Sequence, residues 1–266
     1  MKCGLELIKK IFELYMEINL DNNKEINNNM LRGLYMKTKY LELDNLKIAY
    51  HEYGSGPNLL LIHGNLQNKN VFKKHQLEYF NDFHTFAIDS RGFGQSISEV
   101  DDYSIDQYSD DVINFCKKLN IKETYVIGFS DGGNVCLFLA KKHPEIFTKI
   151  IAISPNYLVS GLTDEPLTEK IYKILLFLQK MKLPMKKAIS KWELMMKDIG
   201  ITDNDLKNIN ANILIIYAQN DLIKEEHILK IAELVKNSKL RKVEKSTHTN
   251  IINKEETIKE IIKFIK

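Results

Sequence analysis

The stretch Gly128-Phe129-Ser130-Asp131-Gly132-Gly133 decides how the rest of this 266-residue chain is read. It follows Tyr125-Val126-Ile127, an apolar run with the look of a buried strand, and precedes residues 135–142, whose pattern is helical. Gly-Xaa-Ser-Xaa-Gly at such a junction predicts a tight strand-to-helix turn. There the serine takes a strained backbone, and the glycines on either side let neighbouring segments come close. Ser130 is thereby pushed into a cleft, with its hydroxyl near a helix N-terminus, where unpartnered N–H groups and the helix dipole favour developing negative charge.

Outward from this turn, short apolar runs alternate with helical stretches, the signature of a mostly parallel sheet covered by helices. Residues 40–43 and 47–53 flank Asp44-Asn45, a hairpin signal, and Gly54-Ser55-Gly56-Pro57 breaks the chain before a strand at 58–62. Helices are expected at 71–80 and 105–119, the latter with Ile105, Tyr108, Val112, Phe115 and Leu119 on one face, and a strand at 85–88 between them. The helix after Ser130 stops near His143-Pro144, and a strand follows at 149–153. Residues 156–208 break the alternation with helices and no evident strand. Strands at 213–217 and 240–243 and helices at 228–234 and 255–265 complete the chain.

In this order of parts the sequence resembles the α/β-hydrolase superfamily from about residue 38 to 266. Leu59-Leu60-Leu61-Ile62-His63-Gly64-Asn65 is similar to the family's strand and His-Gly loop. Asp89-Ser90-Arg91-Gly92-Phe93-Gly94-Gln95-Ser96 is similar to its Asp-Xaa-Arg-Gly-Xaa-Gly-Xaa-Ser segment, and residues 128–133 to its nucleophile elbow. The resemblance implies an α/β core at 38–155 and 209–266: a mostly parallel central sheet with flanking helices. A helical lid at 156–208 is inserted after the strand that follows the elbow. Residues 1–37 lie outside it.

A serine hydroxyl needs a base to take its proton, and the resemblance implies the order Ser, Asp or Glu, His. Of seven histidines, His143, His227 and His248 follow Ser130; His143 falls at a helix end and His227 at the start of a surface helix. His248 falls in the loop between the last strand and the last helix, where the family's base sits, although Thr247 stands where the family usually has glycine. Asp221, after the strand at 213–217, matches the family's acid, with a helix cap as the other reading. Ser154-Pro155-Asn156, after the strand that follows the elbow, offers no carboxylate. The resemblance further implies an oxyanion hole made by the backbone N–H groups of Asn65 and Asp131.

Around this triad, Phe129, Trp192 and Met195 are expected to line the substrate pocket, beneath a lid rich in methionine, a flexible filler of apolar walls. His63 is expected to make a structural loop hydrogen bond, and Asp89 and Arg91 to organise the loop beside the elbow. The lysines at 170–197 are read as a solvated helix face, with attraction of anionic substrates as the alternative. The Asp131 side chain is expected to pack or hydrogen-bond under the elbow; if its carboxylate instead faces the cleft, it can pair with a cationic substrate group, such as the α-amino group of an aminoacyl ester.

The expected activity is therefore a serine hydrolase acting on a carboxylic ester or related acyl bond of a small, largely apolar molecule, with no metal or organic cofactor. Cleavage of a C–C or amide bond, or cofactor-free peroxidation, can run on the same triad. A binding protein that keeps the scaffold is the reading from another class. Haloalkane dehalogenation is disfavoured, because the resemblance would then call for Asp at position 130, where Ser130 stands. Thirty-eight basic and 35 acidic side chains leave a formal charge of +3, which gives no reason to expect a nucleic-acid partner. Three scattered cysteines do not make a disulfide framework or a zinc site, and a cytoplasmic setting fits them. Leu5, Ile8, Ile11, Phe12, Tyr15 and Ile18 recur at helical spacing, interrupted by Lys and Glu, so this stretch reads as an amphipathic helix and not a signal peptide. An asparagine-rich linker follows it. No segment is expected to insert stably in a membrane, and the sequence does not specify an oligomeric state.

Overall fold

The computed structural model describes residues 36–266 apart from 102, 164, 165 and 184, and within this range Thr38–Lys266 is one folded unit. The expected N-terminal helix and its linker lie outside the described residues. Asp44-Asn45 turns strand β1 (Lys39–Leu43) back onto β2 (Leu46–Tyr53), pairing Leu43 with Leu46. Then come β3 (Asn58–Ile62), helix α1 (Lys73–Glu78), β4 (His84–Ile88), the two-residue β5 (Ile97–Ser98) and α2 (Ile105–Lys118). The expected helix at 71–80 is thus split, with a tight 3-10 turn at Lys69–Phe72 before α1. The elbow joins β6 (Thr124–Phe129) to α3 (Asp131–Lys142), and β7 (Phe147–Ile153) follows. The insertion carries α4 (Pro166–Lys180), α5 (Lys186–Glu193), a 3-10 turn at Leu194–Met196, and α6 (Asp203–Lys207). The core closes with β8 (Asn212–Asn220), α7 (Glu225–Leu234), β9 (Ser238–Thr247) and α8 (Glu255–Ile265).

The strands order as β1-β2-β4-β3-β6-β7-β8-β9, with β5 on the side of β2; pairings from β4 through β9 are parallel. Leu59 and Leu61 face one apolar cluster, with Phe72, Phe80 and Ile261, while Leu60 and Ile62 face the other, with Val112, Val135 and Ile228. A strand buried on both faces cannot alternate apolar and polar residues, which is why 58–62 reads as a continuous apolar run.

Register places the site. Ile62 pairs with Gly128, Phe129 with Ile153, Ile153 with Ile216 and Asn220 with Thr247. Each of β3, β6, β7, β8 and β9 therefore releases its next residues at one edge of the sheet, where open α/β sheets hold their sites. Parallel pairing in this register brings His63-Gly64-Asn65, Ser130, Ser154, Asp221 and His248 to neighbouring strand ends, although they are far apart in sequence.

Close packing at the elbow needs glycine. A methyl group on Gly132 would run into the carbonyl oxygens of Ile62 and His63, and one on Gly128 into the carbonyl of Gly132. These obstacles are backbone and cannot move aside cheaply. Gly132→Ala is expected to lower the urea unfolding free energy by about 3 kcal/mol, the upper part of the usual overpacking range. A wild-type midpoint in that variant would contradict the packing described here.

Candidate active site

Ser130 sits between the last residue of β6 and the first of α3 with φ 55° and ψ −118°, a conformation L-residues rarely adopt. Two backbone hydrogen bonds hold it: its N–H donates to Ile153 O at 2.8 Å, and its carbonyl accepts from Asn134 N at 3.0 Å. The hydroxyl is thus aimed away from the sheet, at the start of α3.

His248 meets it there. Ser130 Oγ lies 3.0 Å from His248 Nε2, and His248 Nδ1 lies 2.6 Å from Asp221 Oδ1. These partners assign Nδ1 as the protonated nitrogen, donating to the carboxylate, and leave Nε2 to accept from the serine. Asp221 is buried and also accepts from Ser154 Oγ at 2.6 Å, Ala218 N at 2.9 Å and Ile223 N at 3.3 Å. Burial pushes its pKa up, but the hydrogen bond and charge of His248, with the Ser154 and Ala218 donors, outweigh burial and hold the carboxyl below its ordinary value. It is therefore anionic at neutral pH. Ser154 is a functional residue that the sequence does not announce: the end of β7 carries no carboxylate but a hydroxyl that orients one.

On the other side of Ser130 lies the loop after β3. His63 is fully buried, which pushes its pKa down, and the neutral ring donates from Nδ1 to Gly64 O at 2.7 Å and accepts from Ser90 N at 3.0 Å. It serves as a structural brace. Asn65 Oδ1 accepts from Leu66 N at 2.8 Å, and Asn65 Nδ2 donates to Lys191 O at 3.1 Å. Asp89 and Arg91 organise the adjacent loop, though not with each other: Asp89 pairs with buried Lys69 at 2.8 Å and Arg91 with Asp111 at 2.6 Å.

Asp131 opens α3, and its backbone N–H belongs to the first turn, where a helix leaves its donors unused. Its side chain is nine-tenths buried. Oδ1 accepts weakly from Asn134 Nδ2 at 3.4 Å, and Oδ2 has no partner. Burial, tempered by the nearby charge of His248, pushes its pKa up to about 6. Tyr108 from α2 is also buried with an unpartnered hydroxyl, and both side chains line one narrow cleft with Asn65, Phe93 and Val135. In the sequence Tyr108 is one of the apolar positions on its helix face, and nothing in the spacing distinguishes its hydroxyl end.

Two expectations are corrected. Phe129 does not line a pocket: it is 2% exposed in the cluster beneath the sheet, and its ring lies 5.2 Å from that of His248, so it supports the base from below. His227 stands near the start of its helix as expected but is not a surface residue: its ring is buried, stacks on Tyr157 at 4.7 Å and accepts from Tyr157 N. Trp192 and Met195 are partly buried, in α5 and the turn that follows it. Among the described residues no three His, Cys, Asp or Glu side chains come together in a way that could hold a metal ion.

Residues 57–181 match a family described as "alpha/beta hydrolase fold". A 2-(acetamidomethylene)succinate hydrolase of Mesorhizobium japonicum is 28% identical over 116 residues, 44% of this chain and 42% of the relative. The match thus spans about two fifths of that relative's length. Among solved structures, a meta-cleavage product hydrolase from Pseudomonas fluorescens is 18% identical at a TM-score of 0.68, covering 85% of this chain and 97% of its own. An enol-lactonase from Burkholderia xenovorans is 15% identical at a TM-score of 0.69, covering 85% and 99%. These likenesses carry the fold.

A buried carboxyl whose pKa rises on folding destabilises the folded state as pH climbs. For Asp131 the penalty is absent below the unfolded pKa near 4 and develops fully as pH passes about 6. Asp131→Asn should therefore gain stability over wild type between pH 4.5 and 8, by something on the order of 2–3 kcal/mol. Chemical denaturation at several pH values measures the difference, and one that is flat with pH contradicts the burial.

Proposed function

We propose that this chain, an α/β-hydrolase by fold, is a serine hydrolase that cleaves a carboxylic ester or related acyl bond through an acyl-enzyme on Ser130. The observation that carries the reading is the continuous path from Ser130 Oγ through His248 to Asp221, at 3.0 and 2.6 Å. As Ser130 Oγ attacks the acyl carbonyl carbon, its proton passes to His248 Nε2, and Asp221 stabilises the resulting imidazolium without taking the proton. The tetrahedral oxyanion is received by the backbone N–H groups of Asn65 and Asp131, where loss of one such donor typically costs about 10² to 10³ in rate. His248 then protonates the leaving alcohol, and water enters by the reverse path to release the acid and restore Ser130.

Trp192 and Met195 are proposed to form the apolar wall, with the insertion acting as a lid. C–C bond and lactone cleavage are the second reading on the same triad, favoured by the named activities of the Pseudomonas and Burkholderia neighbours. The non-catalytic reading is weaker, since a binding protein has no use for this hydrogen-bonded path. Among the described residues no helix is long and apolar enough to cross a membrane. Buried, unpaired Cys116 and Cys136 support a reducing, cytoplasmic setting.

Asp131 Oδ2 and the Tyr108 hydroxyl, both unpartnered, line one cleft too narrow for a water molecule; opened by a substrate, it favours a protonated amine on the acyl side, since an ammonium donates to both. Wild type should prefer an ester with an ammonium-bearing acyl chain over its neutral isostere by about tenfold in kcat/KM, and Asp131→Asn should erase that preference. Equal turnover of the two esters by wild type removes the amine subsite and leaves the esterase reading intact.

For the chemistry itself, intact-mass analysis after fluorophosphonate treatment should show one adduct on wild type and none on Ser130→Ala. On p-nitrophenyl acyl esters Ser130→Ala should lose roughly 10⁶-fold and Asp221→Asn roughly 10⁴-fold in kcat. A folded wild-type protein with neither adduct nor turnover contradicts the proposal.

A further inference from the structure

Seven of the eight lysines between residues 170 and 197 are exposed, as a solvated helix face requires, and Lys191 on α5 is not. Its ammonium donates to Gly92 O and lies 4.5 Å from the centre of the Phe93 ring and 5.7 Å from that of Tyr103. A carbonyl dipole and two ring faces thus hold a half-buried cation. The cage is built for close contact: Gly92 has φ +74°, and a side chain there would run into the Tyr103 ring. Phe93 in turn packs edge-on against His63, at 5.7 Å, and Tyr108, at 6.2 Å.

The backbone of the same residue makes the second contact. Lys191 O accepts from Asn65 Nδ2, while Asn65 Oδ1 holds the N–H of Leu66, whose φ of 57° is unfavourable for a leucine. A strained loop keeps its shape only when its surroundings fix it, and here the partner on the insertion is the carbonyl of a residue whose own side chain is clamped to the core. Lys186 and Lys187 approach Asp101 at 3.4 and 3.6 Å with both lysines exposed, and Glu193 bonds Tyr172 of α4.

We infer that Lys191 is a positioning residue for the oxyanion donor: clamped between Gly92 O, Phe93 and Tyr103, it fixes α5 so that its carbonyl holds Asn65, and the backbone N–H of Asn65 stays aimed at the reacting carbonyl. Closure of the insertion and completion of the oxyanion hole are then one event. This rests on the serine-hydrolase reading for its catalytic consequence, but its structural half can be measured without turnover.

The test compares wild type with Lys191→Met, Lys191→Arg, Asn65→Ala and the Lys191→Met/Asn65→Ala double variant. Hydrogen exchange followed by mass spectrometry reads residues 63–67, and kcat and KM are measured on p-nitrophenyl acetate. Lys191→Met should speed exchange in that loop at least tenfold and lower kcat about tenfold, with KM for the small ester within about twofold. Lys191→Arg, which keeps a cation able to stack on the rings and donate to Gly92 O, should stay within about threefold of wild type. The double variant should lose no more than the worse single variant, because both act through one contact. Unchanged loop exchange in Lys191→Met overturns the inference, as does a double variant whose kcat loss is the product of the single losses. Failure of the hydrolase reading looks different: wild type itself then turns over no ester, while the exchange result still decides the role of Lys191.

Discussion

Everything at this site depends on one residue held in a backbone conformation it disfavours. Ser130, with φ 55° and ψ −118°, turns the chain from strand to helix within one residue, at a cost on the order of 1–3 kcal/mol. The sheet sustains that cost. The Ser130 N–H completes the ladder to Ile153, its carbonyl starts the helical bonds of the following segment, and Gly128 and Gly132 let backbone carbonyls pass at distances no Cβ would allow. The same turn sets the hydroxyl before His248 and the Asp131 N–H at an open helix end.

Given that turn, the remaining geometry follows from parallel register. Neighbouring strand ends present a nucleophile, a hydroxyl that braces the acid, the acid and the base, in the spatial order Ser130, Ser154, Asp221, His248. The electrostatics divide the labour between two buried carboxyls, one just past the end of β6 and one just past the end of β8, with β7 between them. Asp221 has a histidine and three further donors, and stays ionised. Asp131 has one weak donor, and its pKa is lifted to about 6. One carboxylate is satisfied by the protein, and the other keeps an unpartnered oxygen, Oδ2.

Much of this was legible in the sequence because its signals are local or ordered along the chain. Apolar runs such as Leu59-Leu60-Leu61-Ile62 mark strands buried on both faces, the Gly-Xaa-Ser-Xaa-Gly turn marks the elbow, and the order of segments points to Asp221 and His248. What stayed hidden depends on contacts between distant segments. His227 looked like a surface histidine because sequence shows its helix but not the Tyr157 ring stacked on it or Gly161, whose missing side chain makes room for it. Phe129 looked like a pocket residue because strand alternation near a turn does not say which face is open. Lys191 looked like the seven lysines around it, since a helical pattern records which residues share a face and not which one meets an aromatic cage. Ser154 and Tyr108 are ordinary residues in sequence, and their hydroxyls acquire meaning through Asp221 in one case and the narrow cleft shared with Asp131 in the other.

The most direct measurement of the central claim is a crystal structure of the protein after reaction with a small alkyl fluorophosphonate. The account predicts phosphorus bonded to Ser130 Oγ, with one phosphoryl oxygen about 2.7–3.1 Å from the backbone nitrogens of both Asn65 and Asp131, and His248 Nε2 facing the adduct. Phosphorus on another residue, or a phosphoryl oxygen turned away from those two nitrogens, contradicts it.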